Sequence, residues 1–204
     1  YIADFKRRAF ELGLEISGTG VRNDFCVPDK ATRAADIALV KNWIVCAAKM
    51  GAPVVRIFAG KGVPEGYTRD QVSEWMTADI RECVAVGKQH GVMIGIQNHA
   101  DFLMTADDVL DLIRRVNSEW FGLILDTGSY RSTDPYADIA RTVPYAVNFQ
   151  IKDKLLGKDS DVPTDLPKLM RIIKAGGYRG YIPIETLAGT GKPYDPRVAV
   201  ARTP

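Results

Sequence analysis

The chain has 204 residues, of which 46% are hydrophobic and 25% are charged, as in an ordinary globular protein with one substantial core. The net charge of +2 gives no reason to expect nucleic acid or an anionic membrane surface as a partner. From the length we expect a single domain over residues 1–204. No apolar run is long enough to cross a bilayer, so we expect no membrane as a partner.

The three cysteines, Cys26, Cys46 and Cys83, are scattered along the chain and have no CxxC spacing. We interpret them as small hydrophobic residues in a reducing compartment, rather than as disulfide partners or zinc ligands. A cytoplasmic location is therefore expected. The chain begins at Tyr1 in what reads as the middle of a helix, so we also expect an N-terminal portion, with any targeting segment, to be missing.

Helices and strands are predicted to alternate along the sequence. In chain order, the predicted elements are a helix over 1–12, a strand over 14–18, a helix over 29–50, a strand over 53–60, a helix over 68–90, a strand over 92–99, a helix over 105–117, a strand over 121–128, a helix over 134–144, a strand over 146–153, a helix over 166–175 and a strand over 181–186. Thr68 and Thr105 are expected to cap their helices, because a threonine hydroxyl accepts a hydrogen bond from the first turn. The segments 152–161 and 189–204 are predicted to be loops.

The stretch 121–128 shows the strand pattern most clearly, since an apolar run is closed by Asp126 and then Gly128. Such a run is typical of a parallel strand buried on both faces. A carboxylate inside it would be costly, so Asp126 is expected at the carboxyl end, where barrels and open α/β sheets bind ligands. The runs recur about every 30 residues, which favours a (β/α)8 TIM barrel whose N-terminal strand–helix units are missing here. No GxGxxG turn follows a strand, so no nucleotide cofactor is expected.

The residues at the strand ends resemble those of the xylose-isomerase-like TIM-barrel family of sugar and sugar-phosphate isomerases and epimerases. The resemblance is carried, in order, by Asn23–Phe25, Arg56–Gly60, Gln97–His99, Leu125–Gly128, Gln150–Asp153 and Ile184–Thr186. Typical members hold a divalent metal with a glutamate, an aspartate, a histidine and a final glutamate. Asp126 and Glu185 match the second and fourth of these ligands, whereas Gln97 and Gln150 stand in the first and third places.

The resemblance implies a metal site made of Asp126, Glu185, Gln97 and Gln150, holding Mn²⁺ or Mg²⁺ or, as an alternative, Zn²⁺. The two glutamines weaken this expectation, because a glutamine offers only a neutral oxygen to a cation. A glutamine also takes no proton at neutral pH, so the two-carboxylate epimerisation of the family cannot run with Gln97 in place.

The function that the resemblance implies is proton transfer next to the carbonyl of a sugar. Under this hypothesis the catalytic groups are Glu185, His99 and Lys152. The expected substrate-binding residues are Arg56, Asn98, Gln97 and Gln150. The expected partner is a small carbohydrate, and assembly into a homo-oligomer is left open.

Two alternatives also stay open. One is a lyase or hydrolase acting on a keto-sugar, since one base and one Lewis acid suffice for β-elimination. The other is a carbohydrate-binding protein that has lost its metal and its catalysis, which Gln97 and Gln150 favour more than any other feature does. A metal-dependent endonuclease on the same barrel is disfavoured, because the chain has two histidines and is barely basic.

Overall fold

Five parallel strands form one curved sheet, a half-barrel of the (β/α) type. The computed structural model describes residues 1–99, 101–186 and 194–201. The sheet order follows the chain: β1 (Thr19–Gly20), β2 (Val54–Phe58), β3 (Met93–Gln97), β4 (Phe121–Asp126) and β5 (Ala146–Gln150). An isolated parallel bridge between Ile151 and Ile184 continues the sheet beyond β5. The prediction of a barrel-type α/β fold is confirmed.

Helices alternate with the five strands along most of the chain. They are α1 (Ile2–Glu11), α2 (Lys30–Met50), α3 (Arg69–His90), α4 (Ala106–Val116), α5 (Pro135–Thr142), α6 (Leu166–Ala175) and α7 (Pro196–Ala201), with a 3₁₀ turn at Val143–Tyr145. Thr68 and Thr105 cap α3 and α4 in reciprocal capping boxes, as predicted. In the described ranges no helix combines the length and apolarity that a membrane crossing requires.

The hydrophobic core lies between the strands and these helices. Parallel register places Ile57 beside Ile96 and Ile96 beside Leu123, and all three side chains are fully buried. Ile44 of α2 and Met76 of α3 belong to the same buried cluster. Each such side chain contributes roughly 1.5–3 kcal/mol on burial. Because side chains alternate along a strand, the residues between these positions face the concave side.

Glycines in β1, β3 and β4 make room on the sheet for larger side chains of the neighbouring strands. A Cβ atom on Gly95 would lie 2.5 Å from Ile124 Cδ1, and one on Gly122 would lie 2.3 Å from Val147 Cγ1. A Cβ atom on Gly20 would lie 2.8 Å from the guanidinium of Arg56. These glycines therefore leave the space that larger side chains of neighbouring strands fill.

The prediction of a strand over 14–18 is wrong, since β1 covers only Thr19–Gly20. The register explains the difference. Thr19 pairs with Val55, so residues 14–17 would face residues 50–53, which hold the end of α2 and the turn at Gly51. No extended partner is present there, and Leu14 is left exposed. The strand predicted over 181–186 is reduced to the bridge at Ile184.

Both predicted loops contain regular structure. Within and just after 152–161, β6 (Lys154–Leu155) pairs antiparallel with β7 (Val162–Pro163). In the C-terminal segment, α7 begins directly after Asp195, whose carboxylate accepts a hydrogen bond from the backbone N–H of Arg197. The prediction of a loop is therefore wrong at Lys154–Leu155 and at Pro196–Ala201, while residues 189–193 and 202–204 of the second predicted loop lie outside the described residues.

Candidate functional site

Polar side chains from β2, from the ends of β3 and β4, and from the segments after β5 and after the bridge at Ile184 meet on the concave side of the sheet. We call Arg56, Gln97, Asp126, Lys152 and Glu185 the polar cluster. Arg56 Nη1 donates to Gln97 Oε1 at 3.0 Å, and Gln97 Nε2 donates to Asp126 Oδ2 at 2.8 Å. Lys152 Nζ lies 3.8 Å from Asp126 Oδ2 and 2.8 Å from Glu185 Oε2. Asp126 and Glu185, which are far apart in sequence, thus share one ammonium group.

Strand register brings these residues together. Gln97 pairs with Phe58 of β2 and with Ile124 of β4. Arg56 lies two positions before Phe58, and Asp126 lies two positions after Ile124, so alternation puts all of them on the concave face. Their neighbours on the other face point into the core under the helices. The apolar alternation of the strands therefore fixes which polar residues face the site.

Asp126 is almost completely buried, with 1% of its surface exposed. Its Oδ1 accepts a hydrogen bond from the backbone N–H of Gly128 at 3.0 Å, while Oδ2 faces Gln97 and Lys152. Burial raises the pKa of the Asp126 carboxyl, and the nearby ammonium and the hydrogen bonds offset this shift only in part. Asp126 is therefore a fixed, poorly solvated carboxylate held by donors on both oxygens.

Asn98 is fully buried, and both ends of its amide bind the backbone of Asp126. Its Nδ2 donates to the carbonyl of Asp126 at 2.9 Å, and its Oδ1 accepts from the N–H of Asp126 at 2.9 Å. This geometry does not support the prediction that Asn98 binds substrate, because its polar atoms are already in use. Asn98 joins the ends of β3 and β4 and thereby holds Asp126 in position.

Arg56 and Gln150 line a cavity of about 240 Å³ on the concave side. Arg56 Nε and Gln150 Oε1 are buried and form no hydrogen bond within the described part of the chain. The Arg56 guanidinium lies over the ring of Phe58, 4.1 Å from its centroid. Burial lowers the pKa of Arg56, while the charge of Glu185 acts in the opposite direction. One donor and one acceptor are thus buried without a hydrogen-bond partner in residues that line this cavity.

His99 lies outside the polar cluster. It is half exposed, its ring contacts the edge of Phe58 at 5.0 Å between centroids, and its Nδ1 lies 3.5 Å from Asp101 Oδ2. It lines a second depression of about 260 Å³ together with Arg22 and Lys61. The structure therefore does not bring His99 to Lys152 and Glu185, and its catalytic role stays a prediction from the sequence.

A family model described as "Xylose isomerase-like TIM barrel" matches residues 1–202. The chain belongs to this family. No curated protein sequence matches it significantly. The family that the strand-end motifs implied is therefore confirmed.

Many solved structures are similar to this chain, and three of them illustrate the likeness. A 3-keto-D-glucoside 4-epimerase from E. coli has a TM-score of 0.79 at 15% identity, covering 97% of this chain and 80% of that one. A D-allulose 3-epimerase from Methylomonas sp., in complex with D-allulose, has 0.75 at 16%, covering 98% and 72%. A xylose isomerase domain protein from Planctomyces limnophilus has 0.74 at 19%, covering 91% and 75%. At these identities the likeness shows the fold alone.

The metal site implied by the family resemblance does not fit the donors as they are arranged. Gln97 Oε1 is engaged by Arg56, and Lys152 Nζ lies at ion-pair distance from both Asp126 and Glu185. In the ranges that the structure describes, no three His, Cys, Asp or Glu side chains are arranged so that they could hold a metal ion. The set Asp126, Glu185, Gln97 and Gln150 therefore stays a prediction, and this geometry does not support it.

Two residues that the sequence analysis did not assign to the site hold Lys152 in place. Thr127 Oγ1 accepts a hydrogen bond from the backbone N–H of Lys152 at 3.0 Å. A Cβ atom on Gly128 would lie 2.6 Å from Lys152 Cγ, so only glycine lets the lysine stem pass. The signal in the sequence was the Asp126-Thr-Gly128 turn, which xylose isomerase-like motifs had already marked.

The cysteines take no part in this site. Cys26 and Cys83 are buried, and burial raises the pKa of each thiol to about 12. Burial therefore favours the protonated thiol at both positions, which disfavours nucleophilic cysteine chemistry there. Cys46 is partly buried, and all three are free.

Proposed function

We propose that this protein is a sugar isomerase that moves a proton between adjacent carbons of a small carbohydrate. The observation that carries the proposal is the contact between Lys152 Nζ and Glu185 Oε2 at 2.8 Å, because it pairs an acid with a base in the polar cluster, of which another member, Arg56, lines the cavity. Membership of the xylose isomerase-like family and the epimerases among the similar structures support the same class of reaction.

Glu185 is the proposed base. Its side chain is 31% exposed although its Oε2 is buried, so a substrate reaches the carboxylate from the side of Oε1. Among the described residues its Oε2 accepts no hydrogen bond of suitable angle, although Lys152 lies at ion-pair distance. A carboxylate with a free lone pair can remove the proton from the carbon next to a carbonyl, and the electron pair of that C–H bond then forms the enediolate.

Lys152 is the proposed acid. Its ammonium gives a proton to the carbonyl oxygen while Glu185 holds the proton taken from carbon. The amine then takes the proton of the neighbouring hydroxyl, and Glu185 returns its proton to the other carbon. All protons and electron pairs balance, and an aldose and a ketose interconvert without an added reactant.

Arg56 and Gln150 are the proposed substrate-binding residues. The buried Nε of Arg56 and Oε1 of Gln150 have no other partners in the described ranges, and both residues line the cavity. Nε can therefore donate to a hydroxyl or carbonyl oxygen of a substrate, and Oε1 can accept from a hydroxyl group. The guanidinium also stabilises negative charge that develops on an enediolate oxygen. Asp126 and Gln97 position Lys152 and Arg56 rather than exchange protons themselves.

The proposal favours an isomerase over an inverting epimerase. Inversion at one carbon needs acid–base groups on opposite faces of the substrate, and Gln97 cannot serve as one of them. An aldose–ketose interconversion needs only one base, which takes the proton from one carbon and returns it to the next on the same face. Glu185 alone therefore suffices as the base that acts on carbon, while Lys152 exchanges protons with the oxygens.

The test is product analysis with a panel of aldoses and ketoses, free and phosphorylated, followed by chromatography and mass measurement. The wild type is expected to give products of unchanged mass. Glu185→Gln is expected to lose about 10²–10⁴-fold in kcat, because a general base is removed. The matched control is Glu119→Gln, an exposed glutamate that precedes β4 at the opposite strand end, and it should keep wild-type turnover.

Three results would overturn the proposal. A product of lower mass would mean elimination or hydrolysis. Sugar binding in calorimetry without turnover of any panel sugar would mean a binding protein. A fully active Glu185→Gln protein would remove Glu185 from the mechanism.

A further inference from the structure

We propose that Lys152 and Arg56 supply the positive charge that a divalent metal would otherwise bring to this site, so that the site works without a metal ion. This inference rests on the proposed function for the role of that charge, but its test does not. It departs from the metal expected from the family resemblance.

The charges of the polar cluster are already balanced. Two carboxylates, Asp126 and Glu185, face two cations, Lys152 and Arg56. Lys152 Nζ is within 4 Å of both carboxylates, at 3.8 and 2.8 Å. A divalent cation between the same carboxylates would lie within a few Å of an ammonium, and like charges repel strongly where water is largely excluded.

Gln97 cannot turn its oxygen toward a cation at Asp126 without breaking two hydrogen bonds. Its Oε1 accepts from Arg56 and its Nε2 donates to Asp126. The reverse orientation would place the amide NH₂ against the guanidinium and the oxygen against the carboxylate. Both contacts would be repulsive, so the charges on either side fix the amide orientation. Gln97 therefore presents a donor where a metal ligand would need an acceptor.

Too few oxygens remain for a hard cation. Of the four expected ligands, the carboxylates are shared with Lys152, Gln97 is turned away, and Gln150 Oε1 is neutral. Mg²⁺ and Mn²⁺ prefer about six oxygen ligands, with carboxylates providing the charge. The same cluster instead holds an ammonium and a guanidinium where an enediolate oxygen needs positive charge.

The test is a direct Mn²⁺ binding measurement on the purified full chain without sugar, by electron spin resonance of free Mn²⁺ and by equilibrium dialysis. The wild type is expected to bind Mn²⁺ no tighter than about 1 mM, as weak sites do. Lys152→Met frees both carboxylates, and Gln97→Glu/Gln150→His restores two ligands. Each variant is expected to bind Mn²⁺ at least ~10-fold more tightly than the wild type.

The matched control is Lys154→Met, which removes an exposed lysine two residues along the chain and should leave Mn²⁺ binding unchanged. Circular dichroism of each variant checks that it is folded. The two site variants change different residues, so one of them still tests the inference if the other fails to fold. Stoichiometric binding of micromolar Mn²⁺ by the wild type would overturn the inference. So would folded site variants that bind Mn²⁺ no better than the wild type. Failure of the sugar panel would overturn the proposed function and leave this result standing.

Discussion

At the scale of single residues, two amide side chains at the end of β3 form hydrogen bonds that hold the site together. Gln97 joins Arg56 to Asp126 through both ends of its amide, and Asn98 joins the backbones of β3 and β4 beside it. A glutamate at position 97 would put a second carboxylate beside Asp126. The neutral amide avoids that repulsion and needs no cation between the two side chains.

The buried Asp126 carboxyl predicts a particular dependence of stability on pH. Its pKa is raised in the folded state from the usual 3.8, chiefly by burial, so the folded protein holds this proton more tightly than the unfolded chain. The resulting stability is present below pH 3.8 and is lost as the pH rises through the folded pKa. The free energy of unfolding of the wild type, relative to that of Asp126→Asn, should therefore be lower at about pH 7 than at about pH 4.

Urea unfolding of the wild type and Asp126→Asn across this pH range measures the difference. The free energy of unfolding of the variant minus that of the wild type should increase with pH. A difference that decreases as the pH rises would show that the carboxyl is stabilised in its ionised form, and that Lys152 and the hydrogen bonds outweigh its burial.

At the scale of elements, a buried ion pair joins α2 to α3. Arg33 Nε lies 2.7 Å from Asp79 Oδ2, both side chains are about nine-tenths buried, and the guanidinium also donates to the carbonyls of Val27 and Pro28 at 2.8 Å. It stacks over Trp75 at 5.0 Å from the ring centroid. Removal of the arginine would leave three acceptors, the Asp79 carboxylate and the carbonyls of Val27 and Pro28, without this donor.

Arg33→Ala is expected to destabilise the protein by about 3 kcal/mol, because it leaves the Asp79 charge buried without a partner. Lys41→Ala is the matched control on the same helix pair. Lys41 Nζ lies 2.8 Å from Glu82 Oε2, but the pair is exposed and should contribute no more than about 0.5 kcal/mol. Urea unfolding measures both, and equal losses in the two variants would contradict the distinction between buried and exposed pairs.

The elements whose signals are local were predictable from sequence. Helix starts at Thr68 and Thr105 follow from capping residues, and Phe121–Asp126 follows from an apolar run with a terminal carboxylate. The segment 14–18 was not predictable, because its lack of a strand partner depends on the register between β1 and β2. The start of α7 was readable in principle, since Asp195-Pro196 repeats the Asp134-Pro135 signal that correctly predicted α5.

At the scale of the whole molecule, the curved parallel sheet gathers residues from 56 to 185 at one edge. Sequence alone predicted that Asp126, Gln97 and Glu185 sit at strand ends, because each closes an apolar run. It did not predict that Lys152 would reach both carboxylates or that His99 would lie outside the cluster. Those outcomes depend on side-chain directions past Gly128 and Phe58, which no local pattern encodes.

Proton transfer by Glu185 is the claim on which the functional account depends, and solvent exchange tests it most directly. Each ketose of the panel is incubated with enzyme in D₂O, and deuterium at the carbon next to the carbonyl is followed by NMR. The wild type is expected to incorporate deuterium into substrate and isomer, and Glu185→Gln to do so at least ~10²-fold more slowly. Isomerisation or exchange that is undiminished in Glu185→Gln would contradict the account, whereas isomerisation with little deuterium means that Glu185 passes the same proton from one carbon to the next.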